Sequence, residues 1–177
     1  MKISVLRLGH RISRDKRITT HVCLVARALG AEEVVITGEK DESILNSVQE
    51  AVSTWGGDFS ARWSVGWNSV VKQFKEKGYE IIHLTMYGLP VQDNIEKIRR
   101  SGKDKLIIVG GEKVPSEVYQ SVDYNISITT QPHSEIAALA IMLDRIFSGK
   151  ELEKTFSNPK KQVVPQARSK QVLNKTI

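Results

Sequence analysis

The run Lys105–Val109 (KLIIV) is nearly pure β-branched residues and leucine, and it ends on Gly110-Gly111. A short, largely apolar run of this kind marks a strand buried on both faces, as in a parallel sheet covered by helices on each side. Other strand-like runs occupy residues 3–8, 33–37, 61–65, 79–86 and 124–129. Between them lie helical stretches at 20–29, 41–55, 68–77, 91–100, 115–121 and 134–147. Thr19 or Thr20, Asp41 and Asn68 are the expected N-caps, and Gly30, Gly56-Gly57, Gly78 and Gly149 the expected stops. Strands alternating with helices at this spacing predict an α/β fold with a mostly parallel sheet flanked by helices.

A chain of 177 residues holds one such domain with a short appendage. We expect the domain at 1–157 and a basic extension at 158–177, in which Val163-Val164-Pro165 and Gln171-Val172-Leu173 read as a short hairpin. The longest apolar run, 136–143, is too short to cross a bilayer. The opening has no charged segment followed by an apolar stretch, and the lone Cys23 suits a reducing compartment, so the expected location is cytoplasmic. Cys23 falls on an apolar helix face and is expected to be a buried structural thiol rather than a nucleophile.

The net charge of +6 is segregated. Residues 1–18 carry six Lys/Arg against Asp15, a net +5; residues 159–177 carry five and no acid, another +5; the remainder sums to −4. Arg7, His10, Arg11, Arg14, Lys16 and Arg17 are expected to crowd a loop between the first strand and the first helix. Such a loop sits at the ligand-binding edge of an α/β sheet. Its cations suit a polyanion, since each neutralises a phosphate and releases a counterion. A nucleic-acid surface built from the two chain ends is the favoured reading; a merely solvated basic loop is the alternative.

Neither a dinucleotide-binding glycine fingerprint nor a P-loop is present. His10, His21, His83 and His133 are scattered, and with one cysteine no cluster has metal-ligand spacing, so no metal is expected. Three strand ends in the second half lead into unusual turns: HLTMYG (83–88), VGGEKVP (109–115) and ITTQPHSE (128–135). Glycine lets backbone groups approach a ligand closely, so three such loops at one sheet edge can enclose a small cofactor by main-chain contacts; ordinary turns are the alternative. The helix after the third loop, 136–147, is apolar nearly all round, as expected for burial in the core or against a second subunit.

In this order, LRLGHRISRDKRITTHVCLVARALGA, HLTMYG, IVGGEKVP, TTQPHSEIAALAIMLDR and VVPQAR resemble the archaeal tRNA (cytidine(56)-2′-O)-methyltransferases of the SPOUT superfamily. The resemblance spans essentially the whole chain. It implies an α/β core with a deep C-terminal trefoil knot, a homodimer, and S-adenosyl-L-methionine held in the knot loops. It also implies methyl transfer to a ribose of tRNA, at the T-loop cytidine 56. Carried over by motif, the cofactor contacts are Leu84, then Gly110, Gly111, Glu112, Lys113 and Val114, then Ile128, Thr129, Thr130, Gln131, Pro132, His133, Ser134 and Glu135. No role is carried to Trp63 or Trp67, for which a core position is favoured over base stacking. A non-catalytic RNA-binding protein on the same scaffold, or a ribose methyltransferase with another RNA target, are the alternatives.

Methyl transfer from a sulfonium is an in-line displacement in which alignment is the main demand. The candidate catalytic residues are Arg17, Arg14 and His10. Related knotted enzymes are thought to use an arginine from this segment, and Arg17 is the first choice. A guanidinium stays protonated, so its comfortable role is to hold a phosphate and stabilise developing alkoxide charge. His10 or His21 would then accept the proton, although His21 within its helix is expected to cap or pack.

Overall fold

The computed structural model describes residues 1–111 and 113–175. In chain order the elements are β1 (Ile3–His10), α1 (Ile12–Ala28), β2 (Glu33–Gly38), α2 (Glu42–Trp55), β3 (Ser60–Ser64) and α3 (Trp67–Glu76). They continue with β4 (Glu80–Pro90), α4 (Val91–Arg100), β5 (Lys105–Val109), α5 (Ser116–Ser121), β6 (Tyr124–Ser127) and α6 (Glu135–Phe147). A single 3-10 turn, Lys150–Glu153, leads to β7 (Lys161–Val164) and β8 (Gln171–Asn174). The first six strands form one sheet in the order β3-β2-β1-β5-β4-β6, and every pairing in it is parallel.

Strand alternation splits the core in two. On one face Val5, Val34, Ile82, Ile107 and Ile126 pack under α1, α2, α4 and α6. On the other Leu6, Val35, Ile81, Leu106 and Ile108 pack under α3 and α5. β5 is buried at every position, as its composition predicts. Its lysine is no exception: the buried Lys105 ammonium donates to Glu80 Oε2 and Ser101 Oγ, each at 2.6 Å. A buried cation tolerated only with such partners tests the rule and obeys it.

The first helix departs from expectation. It begins at Ile12 instead of near Thr20, so Arg14, Lys16 and Arg17 lie on a helix and not in a loop. Neither Thr19 nor Thr20 caps it; Arg11 occupies the N-cap without a side-chain cap bond. The orphan N–H groups are met from elsewhere: Glu39 accepts from Ile12 N at 2.7 Å and Asp15 from Arg11 N at 3.2 Å. Asn68 is likewise inside α3, which starts at Trp67 behind Gly66. β4 runs through the expected turn to Pro90, with an irregularity between Leu84 and Leu89 where it faces β6, while β6 stops at Ser127. Gly88 makes that approach possible, since a Cβ there would lie 2.6 Å from the backbone of Asn125 and Ile126.

In the tail, β7 and β8 are antiparallel and paired only with each other. It is rooted on the Gly56-Gly57 corner. Gly57 N donates to Ser157 O at 2.8 Å, Lys160 N to Thr54 O at 3.0 Å, and the Phe156 ring lies 4.6 Å from the Arg27 guanidinium. A Cβ on Gly56 would collide with the Ser157 carbonyl, so this corner is shaped for the tail.

Candidate active site

The strand order changes direction between β1 and β5, with β2 and β3 laid out to one side and β4 and β6 to the other. Ligands of open α/β sheets bind outside the carboxyl ends of strands at such a point. A cleft of about 500 Å³ opens there. One wall comes from the three sequence-identified turns: His83 to Tyr87, then Gly110, Gly111 and Val114, then Ile128, Pro132, His133 and Glu135. The opposite wall is Arg7 of β1 with Arg11, Arg14, Asp15 and Ile18. These last four positions are spaced i, i+3, i+4 and i+7, one stripe of α1.

The cations of that wall are ordered by carboxylates. Arg7 is buried, and its Nη2 lies 3.2 Å from Glu135 Oε1. Burial pushes its pKa down from the ordinary arginine value, while Glu135 and Asp15 act against that. Asp15 accepts from Arg11 Nε at 3.1 Å and from Arg11 N. Burial alone would raise its pKa; the Arg11 hydrogen bonds and the Arg11 and Arg7 charges win, holding it below the usual carboxylate range. Arg11 is thereby fixed at the rim while its outer face stays open.

The other wall is braced by neutral groups. His83 is fully buried; its Nδ1 lies 2.9 Å from Asn125 Oδ1 and its ring meets Tyr119 edge-on at 4.8 Å. Burial lowers its pKa, only partly opposed by the Asn125 bond. The third loop is held by its own polar atoms. Gln131 N donates to Thr129 Oγ1 at 3.3 Å, His133 Nδ1 lies 2.7 Å from the Gln131 carbonyl, and Ser134 caps α6 by accepting from Ile136 N at 3.2 Å.

Among the residues expected to contact a cofactor, Leu84, Gly110, Gly111, Val114, Ile128, Pro132, His133 and Glu135 line the cleft. Lys113, Thr129, Thr130, Gln131 and Ser134 belong to the same loops without lining it, and Glu112 lies outside the described residues. Of the candidate catalytic residues only Arg14 lines the cleft. Arg17 is exposed on α1 and does not line it. His10 does not line it either: it is fully buried, with Nδ1 2.9 Å from Thr19 Oγ1 and Nε2 3.7 Å from Asp41 Oδ2, and ties β1 to α1 and the start of α2. His21 is exposed on α1 outside the cleft. Cys23 is buried, and burial pushes its thiol up to about 12, which suits a structural role. Trp67 packs on the second core, and Trp63 Nε1 donates to Gly38 O at 3.0 Å. Among the described residues no group of three or more His, Cys, Asp or Glu is placed to hold a metal.

Sequence reading missed Asp15 and Tyr119 as site residues. Asp15 had a usable signal: an acid in the first turn of a helix marks its N-terminus, and starting α1 there puts Arg11, Arg14 and Asp15 on one face. Tyr119 had none, since only the fold brings α5 beside His83.

Solved structures share this architecture. An RNA 2′-O ribose methyltransferase superposes with a TM-score of 0.63 at 14% identity, over 84% of this chain and 57% of that one. The A. aeolicus TrmH/SpoU tRNA modifying enzyme gives 0.60 at 14% identity, over 90% and 80%. The protein therefore shares the fold of these SpoU/TrmH-type structures. Sequence comparison narrows the class. Residues 55–173 match the family model described as tRNA ribose 2′-O-methyltransferase, aTrm56. The tRNA (cytidine(56)-2′-O)-methyltransferase of Methanosphaera stadtmanae is 52% identical over 97% of this chain and 98% of its own length. That of Methanothrix thermoacetophila is 51% identical over the whole of both. The chain belongs to the tRNA (cytidine(56)-2′-O)-methyltransferase family.

Proposed function

We propose that this protein methylates the ribose 2′-oxygen of cytidine 56 in tRNA, using S-adenosyl-L-methionine. Its family relatives carry that name over their full length. The single observation that carries the reading to this molecule is the cleft, where three cofactor-type loops face an arginine wall. The residues present fit the cofactor. Gly110 lets the second loop close tightly on Val114, since a Cβ there would lie 2.6 Å from Val114 Cγ2 unless that side chain shifted, and the cleft volume falls within the range of small-molecule sites.

When bound, the cofactor supplies an electrophilic methyl carbon on a sulfonium. The loops at 83–87, 110–114 and 128–135 hold it, and Leu84, Ile128 and Ala138 give the cleft its apolar floor. Arg11, steadied by Asp15, and Arg14 gather the phosphates flanking the target ribose and offset charge on the attacking oxygen. Arg7, paired with Glu135, is structural to this wall. Of the two arginines first weighed for catalysis, Arg14 takes precedence over Arg17 because it lines the cleft.

Residues 1–157 form the catalytic domain in this reading, and 158–177 a phosphate-holding extension. A homodimer is part of it. α6 leaves Ala137 and Ile141 exposed beside its buried face, and α1, which packs on α6, exposes Ile18 and Leu24. So are the trefoil knot, with β6 passing tightly against Gly88, and a cytoplasmic location. The deciding experiment is incubation with labelled S-adenosylmethionine and total tRNA, followed by mapping of the modified nucleotide. A 2′-O-methyl at cytidine 56 is expected; binding of tRNA without methylation would favour a non-catalytic binder.

A further inference from the structure

The transfer just proposed releases a proton from the ribose hydroxyl, and we infer that His133 Nε2 accepts it. The inference rests on the methyltransferase reading and adds the residue that completes it.

Among the described residues the cleft holds few groups able to take a proton. Arg7, Arg11 and Arg14 are guanidinium cations with nothing to accept with. Asp15 spends its carboxylate on two Arg11 donors and is held below the usual carboxylate range. Glu135 is the partner of the buried Arg7, so protonating it would strand that charge. The phenol of Tyr119 is engaged with Thr85 Oγ1 at 3.2 Å, and a neutral phenol such as Tyr87 is a poor acceptor. His83 is fully buried, and burial opposes its charging. His10 and His21 do not line the cleft.

His133 is exposed at the cleft. Its Nδ1 lies 2.7 Å from the Gln131 carbonyl oxygen, which can only accept, so Nδ1 carries the hydrogen. In the neutral ring the lone pair is then on Nε2. An imidazole oriented through one nitrogen and basic through the other is the arrangement required of a general base. The same Nδ1–H bond strengthens when the ring becomes imidazolium. Ordering of the loop by Thr129 Oγ1 and by the Ser134 cap keeps the ring in place. The charged groups that share the cleft with it are Arg7, Arg11, Arg14, Asp15 and Glu135, with Glu135 set against Arg7 and Asp15 against Arg11.

The step balances. The ribose O–H bond breaks as its oxygen bonds to the methyl carbon, and the carbon–sulfur bond breaks with its electron pair left on sulfur. The proton moves to Nε2 and later leaves to water. Products are the 2′-O-methyl ribose and neutral S-adenosylhomocysteine.

The test compares His133→Gln with wild type in single-turnover methylation of bound tRNA across pH, with S-adenosylhomocysteine affinity measured by calorimetry. Wild type should slow about tenfold per pH unit on the acid limb, as the base becomes protonated. At saturating cofactor His133→Gln should be slower by about 10²-fold or more near neutrality and lack that limb, the calorimetry separating this loss of rate from any loss of cofactor affinity in the loop. His133→Ala with added imidazole is the second variant, and partial restoration of rate is expected. A His133→Gln enzyme within about threefold of wild type overturns the inference, as does a slow variant that keeps the acid limb. Loss of the limb in Glu112→Gln and not in His133→Gln would also overturn it. Failure of wild type to methylate any tRNA would instead sink the methyltransferase reading.

Discussion

Glu135→Gln tests whether the Arg7–Glu135 pair holds the cleft together. The substitution keeps size and hydrogen-bonding shape and removes only the charge. Arg7 then keeps a guanidinium whose side chain is 2% exposed, while the Glu135 side chain is 19% exposed. Removing one partner of a buried pair costs roughly 3–5 kcal/mol, because the other charge is left uncompensated. Two features put this site at the low end: Glu135 keeps some solvent, and the Asp15 charge still acts on Arg7. We therefore expect a loss of about 3 kcal/mol, which in a domain of this size lowers the melting temperature by about 6–12 °C. Differential scanning calorimetry and far-UV circular dichroism, with and without high salt, are the assays; a buried pair should respond little to salt. Arg7→Met/Glu135→Gln should recover most of the loss, since replacing Arg7 by an apolar residue of similar length removes the stranded charge. A single variant melting within about 2 °C of wild type would refute the reasoning. So would a double variant no more stable than the single one.

Arg14→Ala should cut single-turnover methylation by about 10²-fold while S-adenosylhomocysteine affinity holds, and Arg17→Ala should do much less; the reverse order would return the catalytic role to Arg17. Gly111→Leu should fold normally, because a Cβ there meets nothing within 4 Å, yet block the cleft it lines; normal calorimetric binding of S-adenosylhomocysteine by that variant would move the cofactor site. Deleting residues 159–177 removes five cations and should weaken tRNA binding with a shallower dependence on salt, while turnover on saturating tRNA is largely kept; an unchanged salt slope would take the tail off the RNA. Ala140→Glu on α6 should shift wild-type dimers to monomers in sedimentation velocity, and a monomeric wild type at micromolar concentration would end the dimer proposal.

Most of the sheet was legible because period-2 and period-3.6 patterns report burial, and burial here follows the layers: KLIIV is buried throughout, and α4 buries Val91, Ile95 and Ile98 as its spacing requires. The three loops were legible for a different reason, since glycine and proline mark turns wherever they occur. The start of α1 carried one local mark, the acid Asp15 in its first turn, and little else. Its first two turns are mostly polar, Arg11 at the N-cap makes no side-chain cap bond, and the partner that meets Ile12 N, Glu39, is 27 residues away. Charge content likewise did not separate Arg7, which is buried and paired, from Arg17, which is exposed. His10 looked like a member of the basic cluster, and only the fold turns it toward Thr19 and Asp41. Such choices depend on contacts between distant segments, which no local pattern encodes.

The Gly56-Gly57 corner sets a length scale for the substrate. Asp41, at the start of α2, stands beside His10 at the cleft end of the sheet, whereas Gly56, at the other end of α2, precedes the first residue of β3. The helix between them has 14 residues, about 21 Å at 1.5 Å per residue. The two basic ends of the chain are thus anchored at opposite edges of the sheet. An RNA that engages both the arginine wall and the root of the hairpin must bridge that gap, as a folded nucleic acid can and a dinucleotide cannot.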